Sequence, residues 1–276
     1  MRHYLDGKWV DEAAARISVF DLSVLRGFGI FDFLRTYARR PFRLKEHVDR
    51  LFNSAKLTGI KMRWGKKEIE KIVVQGVKKN TNEAKDFTIR IIVTGGVSAD
   101  STVPGRPSLI VMYVPAVDYP LKNYEEGVRV ITYPAKRVLA HAKTLNYLTG
   151  IMALQEARSE KAIEAIYVDE SGLLYEGTMS NLFVVKKGKI LTPHIEILAG
   201  ITRGVIVELT KKLKIHLEEK NIYRGDLPSI NEAFITASNK EVMPVVVIDG
   251  RKIGTGAVGP VTQRLLTAYR QLTRQK

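Results

Sequence analysis

The amino-acid sequence predicts an α+β fold built from two domains. Its 276 residues, 45% of them hydrophobic, suffice for one large core or two smaller ones. Segments with the residue types of β-strands alternate along the chain with segments of helical periodicity. A stretch containing Pro120 separates two such sets. We therefore place a first domain at residues 1–117, a linker at 118–124 and a second domain at 125–276.

The first domain is predicted to combine three strand segments with an amphipathic helix. The strand segments are rich in β-branched and apolar side chains, and turns containing glycine or proline interrupt them. In residues 43–57 apolar side chains recur every three or four positions, which predicts a helix that ends near Gly59. The strand segments cover residues 2–10, 87–94 and 108–114.

The second domain is predicted to begin with a strand at 128–133 and to close with an amphipathic helix at 258–272. Between these two elements, helices are expected at residues 144–158 and 200–217. Short strands separated by glycine turns predict a meander after the first of these helices, at residues 165–168, 173–174, 182–185 and 189–191. Two further strands are expected after the second helix, at residues 233–236 and 245–248.

Composition excludes several classes of function. The chain has no cysteine, which rules out disulfides, thiolate metal sites and a cysteine nucleophile. Five histidines include no His-x-His pair, so we expect no metal site. The first residues lack the apolar segment of an export signal, and no apolar run is long enough to span a membrane. We therefore expect a cytoplasmic protein without a membrane partner.

The chain is strongly basic, with 44 Lys and Arg against 29 Asp and Glu and a formal net charge of +15. Such a charge suits nucleic acid, acidic surfaces or small anionic substrates. In residues 61–71 and 211–214 the basic side chains alternate with apolar ones at helical spacing, which is typical of solvated helix faces. We therefore expect small anionic substrates and no nucleic acid.

The short motifs of common enzyme classes do not occur in the sequence. We find no G-x-G-x-x-G, no P-loop, no H-E-x-x-H and no G-x-S-x-G. The residues able to carry chemistry lie instead in five short segments. These are EHVDRL with Arg50, AHAKTLNYL with Lys143, YEGTMSNLF with Glu176, AGITR with Thr202, and TASNKEV with Ser238 and Asn239.

In this order and at this spacing, the five segments resemble the fold-type IV family of pyridoxal-phosphate enzymes. The family contains branched-chain aminotransferases, D-amino-acid transaminases and aminodeoxychorismate lyase, and the resemblance extends from Asp21 to Gly259. It implies two α/β domains of the D-amino-acid aminotransferase-like fold and the cofactor pyridoxal 5′-phosphate. It also implies amino-acid and 2-oxo-acid substrates, and a homodimer.

The resemblance implies that Lys143 forms a Schiff base with the cofactor aldehyde and later carries a proton between substrate Cα and cofactor C4′. Glu176 would keep the pyridine nitrogen protonated. Tyr147 lies four residues after Lys143, which is one helical turn, so we expect its hydroxyl on the same face, near the cofactor phenolate. Asn181 matches a family position near the ring. Without the resemblance, Lys143 would be a surface charge, Glu176 a turn carboxylate and Tyr147 a half-buried aromatic.

The resemblance also implies a phosphate site. Arg50 offers a charged contact, while Ile201 and Thr202 begin a predicted helix whose free N–H groups attract an anion. Ser238 and Asn239 would complete the site. The structural alternative makes Arg50 an exposed helix charge and the GITR segment an ordinary helix start.

Residues 26–35, RGFGIFDFLR, depart from the pattern of branched-chain enzymes, which typically show Y-G-x-x-x-F-E-G-x-R. Arg26 replaces the Tyr, Asp32 the Glu and Phe33 the Gly. Arg35 matches the final Arg of that pattern, which keeps a branched-chain enzyme open as an alternative.

Arg26 and Arg90, the latter in FTIRIIVTGG, resemble two arginines that bind the substrate α-carboxylate in a divergent branch of D-amino-acid transaminases. Arg26 would reach the site of a neighbouring subunit, so activity should require the homodimer. Phe31 and Phe33 are expected to line the side-chain pocket. In the structural alternative, both arginines form ion pairs with nearby carboxylates such as Asp32.

The predicted function is therefore transfer of the amino group of a D-amino acid to a 2-oxo acid such as 2-oxoglutarate or pyruvate, by a ping-pong mechanism. An L-branched-chain amino acid aminotransferase is the first alternative, and an aminodeoxychorismate lyase the second. A nucleic-acid-binding protein with a degenerate site is the alternative from a different class, because it would explain the positive charge.

Overall fold

The computed structural model describes residues 1–274. Contacts divide the chain into two compact units. The first comprises Met1–Val117 and His141–Tyr147, and the second comprises Asp118–Ala140 and the residues from Leu148 onward. The segment that contains Lys143 thus packs with the first unit. The domain boundaries and the linker inferred from the sequence stay a prediction.

An antiparallel sheet forms the centre of the first unit. Its strands are β1 (Arg2–Leu5), β2 (Lys8–Asp11), β3 (Gly29–Tyr37), β4 (Arg40–Pro41), β5 (Phe87–Thr94) and β6 (Leu109–Pro115). They lie in the order β2-β1-β6-β5-β3-β4. Asp6 and Gly7 both have positive φ and form a tight hairpin turn, which divides the strand segment expected at 2–10 into β1 and β2.

Two long helices cover one face of this sheet. The helices of the unit are α1 (Leu22–Arg26), α2 (Leu44–Thr58) and α3 (Lys66–Lys79). Leu34 of β3, Leu51 of α2 and Val73 of α3 are fully buried in one core. Because side chains alternate along a strand, Phe31 and Phe33 of β3 lie on the opposite face.

The second unit is built on a ten-stranded sheet, six strands of which close into a ring. The strands are β7 (Val128–Pro134), β8 (Glu164–Val168), β9 (Leu173–Gly177), β10 (Asn181–Lys186), β11 (Lys189–Thr192), β12 (Leu217–Glu219), β13 (Ile222–Tyr223), β14 (Glu232–Ala237), β15 (Glu241–Ile248) and β16 (Arg251–Lys252). The ring runs β10-β14-β15-β7-β8-β9 and closes where Asn181 pairs with Glu176. Two residues singled out by the sequence are therefore adjacent.

Four helices accompany this sheet: α4 (Leu121–Glu125), α5 (Leu148–Ser159), α6 (Ile201–Lys212) and α7 (Pro260–Arg274). The rings of Phe183 and Phe234 stack between neighbouring strands at 4.9 Å. Glu232 caps α7, because its carboxylate accepts the N–H groups of Val261 at 3.1 Å and Thr262 at 2.8 Å. None of the helices in residues 1–274 is long and apolar enough to cross a lipid bilayer.

The start of the helix expected at 144–158 is wrong, since α5 begins at Leu148. The preceding residues are extended because they pair with the edge of β3. The N–H of Phe31 donates to the carbonyl of Lys143, and the N–H of Leu145 donates to the carbonyl of Gly29, both at 2.9 Å. A tertiary pairing therefore overrides the local helical pattern.

Strand β3 was not expected from the sequence. The helix expected at 200–217 is too long. Helix α6 ends at Lys212. Lys214 then adopts a φ of +55°, which is left-handed backbone, and Leu217–Glu219 pairs in parallel with β11. Pairing with β11 explains why Leu217–Glu219 does not continue the helix.

Candidate active site

Lys143 lies in the extended segment at the edge of β3. Thr144 forms a β-bridge with Ile30, and the backbone N–H of Lys143 donates to Ser54 Oγ at 3.0 Å. The lysine side chain is half-buried, and its Nζ lies 4.4 Å from the centroid of the Phe31 ring. An amine at this distance interacts favourably with the ring face when charged. The backbone of Lys143 is thus fixed from two sides.

Helix α2 places Arg50 one turn before Ser54. The hydroxyl of Ser54 donates to the backbone carbonyl of Arg50 at 3.1 Å while it accepts the N–H of Lys143. Residues four apart lie on the same side of a helix. One helix face therefore positions both the arginine and the lysine that the sequence singled out.

Arg50 is held in a nearly buried ion pair with Asp32. Its Nε donates to Asp32 Oδ2 and its Nη2 to Asp32 Oδ1, each at 2.9 Å. His47 Nδ1 lies 2.6 Å from the same Oδ1. Only 10% of the Arg50 side chain and none of the Asp32 side chain is exposed. The alternative that made Arg50 an exposed helix charge is therefore wrong.

Charges around Asp32 set its ionisation. Burial raises the pKa of the Asp32 carboxyl, but the positive charge of Arg50 and the neighbouring His47 lower it further, so that the pKa lies below its usual range. Burial also lowers the pKa of His47, and the Asp32 charge offsets this only in part. At neutral pH, an ionised Asp32 thus lies between a charged Arg50 and a neutral His47 that donates its Nδ1–H.

Tyr147 precedes α5, so the helical-turn argument that related it to Lys143 is wrong. The Tyr147 ring instead packs edge-on against Phe31, with centroids 6.4 Å apart and an interplanar angle of 74°. The Phe31 ring therefore contacts both the Lys143 amine and the Tyr147 ring, and brings these three predicted site residues together.

The open face of the first sheet carries Phe33 and Arg90, which are directly opposite each other on β3 and β5. The guanidinium carbon of Arg90 lies 5.6 Å from the centroid of the Phe33 ring. Arg90 is exposed, and no acidic side chain within residues 1–274 pairs with it. Arg26, the last residue of α1, is also exposed and donates to the carbonyl of Leu25 at 3.0 Å. Asp32 pairs with Arg50, so the structural alternative for Arg26 and Arg90 loses that partner.

In the second unit, Glu176 is held on both carboxylate oxygens. Its Oε1 accepts a hydrogen bond from Arg137 Nη1 at 2.8 Å. Its Oε2 accepts the N–H of Leu198 at 2.9 Å and Asn181 Nδ2 at 3.3 Å. Only 6% of the Glu176 side chain is exposed, so it is not a solvated turn carboxylate. Asn181, whose role the sequence left unassigned, contacts Glu176 directly.

The N-terminus of α6 lies next to Asn181. A Cβ on Gly200 would collide with Asn181 Oδ1, so only glycine allows this approach. Gly200 has no side chain to accept the first N–H groups of the helix, which begins at Ile201 and continues with the buried Thr202. Unpaired N–H groups and the helix dipole make such an end favourable for an anion.

Ser238 and Asn239 lie in the turn between β14 and β15. Ala237 pairs with Glu241, and the N–H of Lys240 donates to the carbonyl of Ala237 at 3.1 Å, which closes the turn. Both predicted site residues are half-buried. Adjacent strands connect this turn to Asn181, because Thr236 of β14 pairs with it.

Sequence reasoning did not find Arg137, Ser54 or the partners of Arg50. Arg137 is 39 residues from Glu176, and Ser54 is 89 residues from Lys143. Neither residue stands in a motif that would have marked it. Asp32 was noted as a departure from the branched-chain pattern and as a candidate partner of Arg26 and Arg90, but not as the partner of Arg50.

The comparison with protein families is decisive. The family model described as amino-transferase class IV matches residues 29–248. The chain belongs to this family. The predicted fold-type IV family and its α+β fold are thereby confirmed.

Some relatives of this aminotransferase are named branched-chain aminotransferases and others D-alanine aminotransferases. A Methanocaldococcus jannaschii protein, provisionally named branched-chain-amino-acid aminotransferase, is 38% identical and covers 99% of this chain and 96% of its own. D-alanine aminotransferase of Bacillus licheniformis is 32% identical, and the match covers 97% of this chain and 95% of the relative. The crystal structure of branched-chain aminotransferase from Thermoproteus uzoniensis with norvaline matches with a TM-score of 0.90 and 33% sequence identity. The match covers 99% of this chain and 94% of that one.

The cofactor of this aminotransferase is pyridoxal 5′-phosphate. The family uses it, and solved branched-chain relatives contain pyridoxamine 5′-phosphate or N-(5′-phosphopyridoxyl)-L-glutamate. The side chains described above fit this group chemically, because they include a half-buried lysine, a desolvated carboxylate and a helix end suited to phosphate. Substrates are amino acids and 2-oxo acids, as for the family.

Proposed function

We propose that this aminotransferase moves the amino group of a D-amino acid to a 2-oxo acid. The observation that carries the proposal is the exposed guanidinium of Arg90, which has no acidic partner within residues 1–274. It lies on the sheet face that also carries Phe31, the neighbour of the Lys143 amine. A guanidinium is suited to bind a substrate α-carboxylate through two hydrogen bonds.

Each cofactor residue has a role that its surroundings support. Bound pyridoxal phosphate supplies an aldehyde and an electron-accepting ring. Lys143 would hold the aldehyde, and its amine would move the proton released from substrate Cα. Glu176, oriented by Arg137 and Asn181, would keep the ring nitrogen protonated. The Tyr147 hydroxyl would donate to the phenolate oxygen.

Arg50, Ile201, Thr202, Ser238 and Asn239 would bind the phosphate. Asp32 accepts hydrogen bonds from Nε and Nη2 of Arg50, each at 2.9 Å, and so orients the guanidinium. Asp32 is therefore a positioning residue. It fixes the plane of the arginine and prevents the side chain from changing rotamer.

The stereochemical part of the proposal depends on where the carboxylate binds. Lys143 acts from one side of the ring, so exchanging the carboxylate and side-chain pockets exchanges D for L substrates. Arg26 and Phe33 replace the Tyr and Gly of the branched-chain pattern. Arg26 adds a guanidinium and Phe33 adds a ring, so the carboxylate pocket and the side-chain pocket both differ from those of branched-chain enzymes. This difference supports a substrate carboxylate bound near Arg90 and Arg26 and a side-chain pocket lined by Phe31.

An L-branched-chain aminotransferase is the second candidate. The names of the M. jannaschii relative and of the T. uzoniensis structure favour it. Arg35 also matches the arginine of the branched-chain pattern. It is buried on β3, with its guanidinium carbon 4.7 Å from the centroid of the Tyr37 ring.

D- and L-amino acids distinguish the two candidates. Purified holoenzyme is mixed with D-alanine, D-glutamate, L-leucine or L-glutamate, and the visible absorption of the cofactor is followed without a 2-oxo acid. The proposal expects rapid conversion of the cofactor to its aminated form by the D-acids. Conversion by L-leucine alone would establish the branched-chain enzyme, and pyruvate release from aminodeoxychorismate without added 2-oxo acid would establish the lyase.

Replacing Arg90 with alanine is expected to raise KM for the D-amino acid about 10- to 100-fold, since a charged hydrogen bond contributes about 1.5–3 kcal/mol. The cofactor spectrum should not change. Arg40→Ala, which removes another exposed arginine of the first unit, is the matched control and should leave KM unaltered. Bleaching of the cofactor in the Arg90 variant would place this residue in the cofactor site instead.

We further propose that the enzyme is a homodimer in which Arg26 serves the partner's site. Val19, Phe20 and Val24, close to Arg26 in sequence, are 67%, 61% and 54% exposed, as is typical of an interface. Co-expressed Arg26→Ala and Lys143→Ala chains with different tags should form a mixed dimer with one intact site and about half of the wild-type activity. If Arg26 serves its own chain, the mixed dimer will be inactive.

A further inference from the structure

The second unit contains a completely buried pair of opposite charges. Nζ of Lys240 lies 3.0 Å from Oε2 of Glu164, and both side chains have 0% exposure. The Tyr119 ring centroid lies 5.7 Å from the same Nζ. A buried ion pair usually stabilises a fold no more than apolar residues of the same volume. Its presence therefore points to a role in fixing geometry.

Glu164 binds the turn between β9 and β10 through hydrogen bonds. Its carboxylate accepts hydrogen bonds from all three residues that connect β9 to β10. These are the hydroxyl of Thr178, the N–H of Met179 at 3.0 Å and the hydroxyl of Ser180 at 3.2 Å. The turn joins Glu176 to Asn181, where the ring of strands closes.

Lys240 lies in the turn between β14 and β15, which carries two of the proposed phosphate ligands. It directly follows Ser238 and Asn239, between β14 and β15. Its backbone is held as well, because the Tyr124 hydroxyl donates to its carbonyl at 3.3 Å. The ion pair with Glu164 therefore connects the turn bearing two proposed phosphate ligands to the turn beside Glu176.

We infer that Lys240 is a positioning residue for cofactor binding, which acts through Ser238 and Asn239 and takes its own position from Glu164. The inference deepens the proposed phosphate site and rests on it. Substituting a neutral side chain would remove the ion pair that ties the Ser238–Asn239 turn to Glu164, so the phosphate contacts would lose their preset geometry.

The ionisation of the pair is consistent with this role. Burial lowers the pKa of the Lys240 amine, but the negative charge of Glu164 raises it further, so the pKa lies above its usual value. The amine is therefore charged at neutral pH and attracts Glu164 in a site without water screening.

The test compares a ligand that carries phosphate with one that does not. Full-length protein freed of cofactor is titrated with pyridoxal 5′-phosphate and, separately, with pyridoxal. For Lys240→Met we expect the Kd of pyridoxal phosphate to rise about 10- to 100-fold, because small misplacements of binding groups cost this much. The Kd of pyridoxal should change by less than about twofold. Equal weakening of both ligands, or of neither, would overturn the inference.

Two further variants keep the test interpretable. If Lys240→Met fails to fold because Glu164 is left unpaired, the Lys240→Met/Glu164→Gln double variant removes both charges and should show the same selective loss. Glu232→Gln is the matched control, since it makes the same carboxyl-to-amide change at a buried glutamate that caps α7. It should lower thermal stability without changing the ratio of the two dissociation constants.

Ser238→Ala separates this inference from the proposed phosphate site. A normal Kd for pyridoxal phosphate in Ser238→Ala would mean that the turn does not bind phosphate, and both ideas would fail. A raised Kd in Ser238→Ala together with a normal Kd in the Lys240 variants would retain the site and refute the role of Lys240.

Discussion

Replacing Lys143 with alanine is expected to lower the transamination rate by at least about 10³-fold, since positioned proton transfer alone contributes about 10²–10⁴-fold. Lys143 is expected to supply both the covalent link to the cofactor and the amine that moves the Cα proton. Ser54 and Phe31 hold its backbone, and no other lysine occupies this segment. Initial rates with excess pyridoxal phosphate measure the loss.

Lys45→Ala is the matched control, because Lys45 is an exposed lysine of α2 in the same unit. It should leave the rate unchanged. Borohydride reduction followed by peptide mass analysis should find the cofactor on the Lys143 peptide of the wild type and on no peptide of the variant. Normal turnover by Lys143→Ala would refute the assignment, and cofactor found on another lysine would relocate it.

The elements that the sequence predicted well are those whose pattern is local. Helix α2 was expected at 43–57 and lies at Leu44–Thr58, because its apolar positions repeat at helical spacing. Strand β5 was expected at 87–94 and lies there, since β-branched residues fill it. By contrast, residues 143–145 pair with β3 through hydrogen bonds to Gly29 and Phe31, over a hundred positions earlier. No local pattern contains that information.

In the candidate site, too, the sequence identified residues that stand in a local motif and missed their partners from distant parts of the chain. Lys143, Glu176 and Arg50 could be singled out because their flanking segments match those of a family. Their immediate partners could not, because Arg137, Ser54 and the buried carboxylate of Asp32 act at a distance along the chain. Tyr147 shows the intermediate case. It was proposed on helical spacing, whereas the structure associates it with Lys143 through the shared Phe31 ring.

Replacing Asp32 with asparagine is expected to lower the free energy of unfolding by about 3–5 kcal/mol, the usual cost of leaving one charge of a buried pair uncompensated. Arg50 would remain about nine-tenths buried without its counter-charge. The affinity for pyridoxal phosphate should also fall, because the arginine plane would no longer be fixed. Urea denaturation of the apoprotein and cofactor titration measure the two effects separately.

The pH dependence tests whether the charge of Asp32 is the cause. Its folded-state pKa is lowered from 3.8, so its contribution is fully present above that value and is lost as the pH falls toward the folded pKa. The stability difference between wild type and Asp32→Asn should therefore shrink below pH 3.8. Asp49 lies on α2, as Arg50 does, and forms an exposed ion pair with Lys66 of α3; Asp49→Asn should cost less than about 1 kcal/mol. A difference for Asp32→Asn that stays constant through acid pH would mean that shape, and not charge, makes Asp32 the anchor of Arg50.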